Sequence, residues 1–71
     1  MDIHVFKTSI NSKELIITLE KKFDPNPYII SWSVDIEDID NVLVVKSNDI
    51  KEQDIIEMVK SEGFVCEALP D

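Results

Sequence analysis

The chain predicts an α+β sandwich of order β-α-β-β-α-β, a four-stranded antiparallel sheet with two helices on one face. Three observations carry this. Ile30, Trp32, Val34 and Ile36 alternate with Ser31, Ser33, Asp35 and Glu37, the period of a half-buried strand. A polar turn, Asp38-Ile39-Asp40-Asn41, then leads into the β-branched run Val42-Leu43-Val44-Val45, so the middle of the chain reads as a hairpin. On each side of it lies one segment of helical period, and beyond each of those one short apolar strand.

Taken in order, Asp2 to Lys7 predicts the first strand. Ser12 to Phe23 sets Leu15, Ile16, Leu19 and Phe23 on one helical face, and Asn11 can cap it with Glu14 completing a capping box. Asp24-Pro25-Asn26-Pro27 stops that helix, because two prolines force an extended turn. The run Val42 to Val45 is apolar throughout, which suits an interior position in the sheet. Ser47-Asn48-Asp49 predicts the start of the second helix, with Asp49 and Glu52 as its box and Ile50, Ile55, Ile56 and Val59 facing inward. Gly63, the one glycine, falls where a left-handed C-cap is wanted. Phe64 to Leu69 predicts the last strand. This is the split βαβ, or ferredoxin-like, arrangement. Its connectivity brings three loops to one end, so Thr8 to Ser12, Glu37 to Asn41 and Gly63-Phe64 are expected to lie together.

At 71 residues the chain is expected to be one domain, residues 1–71, near the lower limit for a self-supporting core. A chain this short buries only about 60% of its unfolded surface. One cysteine allows no internal disulfide, and the core must come from the 44% of apolar residues. A lone cysteine and no N-terminal apolar signal segment predict a cytoplasmic protein. No apolar run approaches the roughly 20 residues of a membrane span. Seven Lys against 15 Asp and Glu leave a net charge of −8, a field that repels phosphate backbones and argues against nucleic-acid binding. The same field favours solubility, and a basic protein as partner.

The sequence resembles the heavy-metal-associated domain, the fold of small copper chaperones and of the N-terminal modules of metal-pumping ATPases. Ser33-Val34-Asp35-Ile36 and Val42-Leu43-Val44-Val45 look like that family's central hairpin. Ile55-Ile56 through Ser61-Glu62-Gly63-Phe64-Val65-Cys66 looks like its second helix and the G-[YF]-x-[AC] start of its last strand. The family's first loop reads M-T-C-x-x-C, and here it aligns with Lys7-Thr8-Ser9-Ile10-Asn11-Ser12. The threonine fits, while both thiols are replaced by hydroxyls and the methionine by Lys7. The family binds soft cations through two thiolates, and a serine hydroxyl, hard and protonated, cannot stand in for one. The resemblance therefore implies the fold and the place of a working surface, without the metal-binding chemistry.

Each candidate residue also has a plainer role. Ser9, Asn11 and Ser12 can accept hydrogen bonds from a partner, and helix capping explains the same residues. Cys66 shares parity with Phe64 and Ala68 and is expected to be a buried core thiol. His4 alternates with Ile3 and Val5, which places it on the open sheet face or near its edge, where it is expected to be solvated. Whether His4 or Cys66 gives residual metal binding stays open. Asp35, Glu37, Asp38 and Asp40 form the densest acidic cluster; it lacks the EF-hand spacing and its glycine, so a solvated hairpin able to meet a basic partner is the expectation. Phe64 fits a partner anchor or a core position equally, and Trp32 fits the core.

No glycine-rich phosphate loop, nucleophile elbow or readable Cys/His or Ser/His pair occurs. The expectation is a non-catalytic interaction or regulatory module without cofactor. Its contact surface would comprise Thr8, Ser9, Asn11, Ser12, Glu37, Asp38, Asp40 and Phe64. The alternative is an atypical or weak binder of Cu or Zn. RNA binding through the open sheet face is disfavoured by the charge and by the lack of paired aromatics.

Overall fold

The computed structural model describes residues 1–70. The elements run β1 (Asp2–Thr8), α1 (Lys13–Phe23), β2 (Ile29–Asp35), β3 (Val42–Ser47), α2 (Glu52–Ser61) and β4 (Cys66–Ala68), the predicted order. One antiparallel sheet has the strand order β2-β3-β1-β4, so β3 holds the interior place its apolar run demanded and β2 and β4 are the edges. Phe6 of β1 sits opposite Leu43 on one side and Ala68 on the other.

Burial follows the periods. Phe6, Leu43 and Val45 from the sheet, Leu19 and Phe23 from α1, and Ile55 and Val59 from α2 are fully buried. Phe23 meets the edge of Trp32 with ring centres 5.5 Å apart, and the Trp32 indole N–H donates to the Asp24 carboxylate at 3.2 Å. The half-buried indole thus packs on the core while its polar edge stays satisfied. Past α2, Gly63 adopts φ +90 and its N–H donates to the Lys60 carbonyl at 2.9 Å, the left-handed turn expected of it.

Four expectations are corrected. The cap of α1 is Ser12, whose hydroxyl accepts from the Leu15 N–H at 3.4 Å, rather than Asn11. The second helix begins after Lys51 with no side-chain cap; Asp49 is left-handed, with φ 55, in the turn before it, while the Asn48 N–H is tied back to the Tyr28 carbonyl. In β2, Ile29 pairs with Ser47 and Ser31 with Lys46, so Ile30 is an extra residue in a β-bulge. The bulge turns Ile30 outward, 53% exposed, while Ile29 packs on the core and the alternation resumes at Trp32 and Val34. His4, finally, shares parity with buried Phe6 and Thr8, so it lies on the helix-covered face, stacked on the Phe6 ring at 6.2 Å. Its apolar neighbours Ile3 and Val5 are the residues on the open face.

Candidate functional site

The three loops do converge, and hydrogen bonds fix them. Thr8 ends β1 and is buried. Its N–H donates to the Asp40 carbonyl at 3.1 Å, and its hydroxyl donates to the Asn41 carbonyl at 2.7 Å while accepting from the Ile10 N–H at 3.2 Å. One threonine therefore ties the first loop to the hairpin. Ser9 ties it to the segment leading into β4: its hydroxyl accepts from the Val65 N–H at 2.9 Å, and its own N–H donates to the Val65 carbonyl at 3.3 Å. Between these two ties and the Ser12 cap sits Ile10, fully buried, an apolar plug that seats the loop on the core.

Within the hairpin, short polar turns set the shape. The Asp35 carboxylate accepts from the Glu37 N–H at 3.1 Å and the Asp38 carboxylate from the Asp40 N–H at 2.8 Å, so two acidic side chains stabilise the turn that displays them. Asn41 completes it with φ 45, a left-handed conformation that asparagine tolerates. Lys7 reaches the Asp40 carboxylate at 3.7 Å; both groups are about half exposed to solvent, which screens the pair, so it contributes little.

Seen as a surface, this end presents Ser9, Asn11, Glu37 and Asp38, all exposed, with Ser12 and Asp40 half-buried. Phe64 is half-buried and packs against the core, while its neighbour Val65 is exposed. Thr8 is inside the surface and acts as its fastener. Two apolar points are not evident from the sequence alone. Ile39, at the hairpin tip between Asp38 and Asp40, is 94% exposed, and Val65 stands beside Ser9. The signal for Ile39 is an isolated isoleucine in an acidic turn. Ile10 carries a similar signal, an isoleucine in a polar loop. The described residues form no pocket, and this end is an acidic patch with an apolar tip.

The two positions that align with family thiols are spent on structure, Ser9 on Val65 and Ser12 on Leu15. Cys66 lies opposite Thr8 in the sheet and is buried. Burial pushes its thiol pKa from 9.0 to about 11; the Lys60 ammonium pulls it down, and Glu52 and Glu67 push it up further. At neutral pH the free thiol is therefore protonated, not the thiolate that reacts as a nucleophile. Among the described residues no three His, Cys, Asp or Glu side chains come together as a metal-ligand group.

The raised thiol has a measurable consequence. The folded chain holds the Cys66 proton more tightly than the unfolded one, so nothing is lost below pH 9, and stability falls as pH rises from 9 to about 11. The fall is expected to approach about 3 kcal/mol at most, because each tenfold gain in proton affinity on folding is worth ~1.4 kcal/mol. Urea midpoints of the wild type and Cys66→Ala, taken from pH 8 upward, test it. The wild type should decline more steeply above pH 9, and parallel curves would remove the thiol from the account.

No family model matches the chain, and no curated protein matches it. Solved structures do. A chain of the Atx1–Cu(I)–Ccc2a complex superposes with a TM-score of 0.83 at 17% identity, covering 97% of this chain and 96% of its own. A copper-binding domain from HMA7, a P-type ATPase, gives 0.83 at 20% identity, covering 99% and 96%. The yeast copper transporter domain Ccc2a, solved in apo and Cu(I)-loaded states, gives 0.80 at 17% identity, covering 97% and 96%. Over nearly its whole length, this chain has the ferredoxin-like fold of those copper-binding domains, as its sequence resemblance implied.

Proposed function

We propose that the chain, as a single module, is a non-catalytic protein-interaction domain whose loop end docks a basic partner and that has dispensed with thiolate metal binding. The observation that carries this is the way Thr8 and Ser9 lock three segments into one fixed surface while their hydroxyls are consumed in doing so. Hydrogen bonds from the chain's own groups define the loop's shape. What it displays is acidic, from Glu37, Asp38 and Asp40, with Ile39 and Val65 as apolar contacts inside that charge. A surface without a cleft suits a protein better than a small molecule. A reducing, cytoplasmic setting agrees with a single buried thiol.

A lysine-rich peptide carrying one or two leucines is the direct probe, followed by NMR shift mapping. Shifts should concentrate at residues 9–12, 37–41 and 63–65. Affinity should fall at least tenfold between about 0.05 and 0.5 M salt, as exposed charges are screened. Glu37→Lys combined with Asp38→Asn, which keeps the oxygen that accepts from the Asp40 N–H, should abolish binding with the turn and the fold retained. Shifts spread over other faces, or no binding at low salt, would defeat the reading.

The copper-binding domains that share this fold support a second reading, an atypical carrier of Cu or Zn. Titration with Cu(I) against a competing chelator separates the two. Tight uptake lost in Cys66→Ala would favour the metal.

A further inference from the structure

The uncovered face of the sheet departs from the rest of the molecule in its charge. The register places Lys7 beside Glu67 and Lys46 beside Ile3, with Asp35 beside Val42. These four charged side chains, Lys7, Lys46, Asp35 and Glu67, share the face away from the helices, two of each sign, in a chain whose net charge is −8. Even counting Asp40, which Lys7 reaches at the rim, the face holds at most one of the eight excess negative charges, and the rest lie elsewhere. Its middle is the Val5–Val44 pair, half-buried, flanked by Val42 and by the outward Ile3 and Ile30, 58% and 53% exposed. A solvated sheet face is ordinarily polar, and an apolar patch rimmed by charge marks an interface.

We propose that this face is the interface of a homodimer, in which two copies pack sheet to sheet about a two-fold axis near Val5 and Val44. Charge decides the occupant. A second copy brings −8 of its own, and this is the face on which it can approach without setting like charges against each other. Around a two-fold axis, a rim holding two lysines and two carboxylates is able to pair with itself. A basic partner is drawn to the hairpin instead, and an anionic lipid surface is repelled by the chain as a whole. Size sets the strength. Four strands about 4.8 Å apart and six residues long at about 3.3 Å cover roughly 400 Å² in projection. Two such faces bury on the order of 1,000 Å², the low end for specific association, so the dimer should form in the micromolar range.

Salt gives this interface a signature opposite to that of the loop end. The contact is near-neutral and apolar while the two bodies repel at long range, so screening should tighten the dimer. Sedimentation velocity from about 10 µM to about 1 mM protein, at about 0.05 and 0.5 M salt, reads it directly. The expected result is a reversible monomer–dimer equilibrium that shifts to dimer at the higher salt. Val44→Lys should weaken it at least tenfold by setting like charges at the axis. Ile3→Lys, at an exposed position, makes the same test should Val44→Lys fail to fold by circular dichroism. Glu37→Lys with Asp38→Asn, which cancels the loop-end charge and keeps the turn's acceptor, should leave the dimer intact. A monomer at every concentration, a dimer loosened by salt, or one that survives both lysine variants would overturn the proposal without touching the loop-end reading.

Discussion

Phe6→Ala is expected to remove about 3–5 kcal/mol of stability, the usual cost of cutting a buried aromatic to a methyl. A 71-residue domain has only about 4–10 kcal/mol to lose. The variant should therefore lose about half of its stability, with its urea transition moved far toward zero denaturant. The position is the worst one to empty. Phe6 is fully buried on β1, the strand that joins β3 to β4, and it packs between Leu43 and Ala68 with the His4 ring stacked on it. A chain with one cysteine has no internal disulfide to compensate for the cavity. A variant whose midpoint drops by less than about 1 kcal/mol equivalent would show that the core can collapse around the gap, which dense packing argues against.

Thr8→Val keeps the shape and β-branching of the side chain and deletes one oxygen. That oxygen serves two partners, donating to the Asn41 carbonyl and accepting from the Ile10 N–H. The Ile10 N–H is left unpaired in a buried setting, at about 1–3 kcal/mol, and the Asn41 carbonyl in a part-buried one where water can reach it, at about 1 kcal/mol, so a loss of about 2–4 kcal/mol is expected. The effect should also be local. Hydrogen exchange at residues 8–12 and 39–41 should quicken more than in the helices, because the loop and hairpin are no longer fastened together. Uniform loss of protection would mean that Thr8 supports the fold as a whole and not the loop end in particular. The same variant should weaken the lysine-rich peptide's binding, since the acidic hairpin would no longer be held beside Ser9 and Asn11.

What the sequence discloses is whatever depends on period and on single special residues. The alternation through Trp32 and Val34, the apolar run at Val42 to Val45 and the left-handed Gly63 are each visible without coordinates, and together they fix topology. Topology in turn predicts that the three loops meet. The departures share a cause, which is that pairing register and competing partners are not written locally. Ile30 continues a clean alternation, yet its orientation depends on how many residues β3 places opposite it. His4 alternates with Ile3 and Val5, while its side is set by Phe6 two residues on. Asp49 has the right type for a cap, but Ser47 and Asn48 are still held by β1 and by Tyr28, which delays the helix. At the loop end, the residue types are legible and their engagement is not. A serine in a loop looks the same whether its hydroxyl faces solvent or, like that of Ser9, is bonded to Val65.

The extra residue in β2 protects the molecule from its own stickiness. The segment Ile29 to Val34, Ile-Ile-Ser-Trp-Ser-Val, is uncharged and β-prone, and it forms an outer strand with an open row of backbone donors and acceptors. Such a row is the template on which fibrils grow. The irregular spacing at Ile30 interrupts that row, and Asp35 closes its far end with a charge. Lateral growth from strand to strand is thereby discouraged, and self-association is left to a surface where it ends at two.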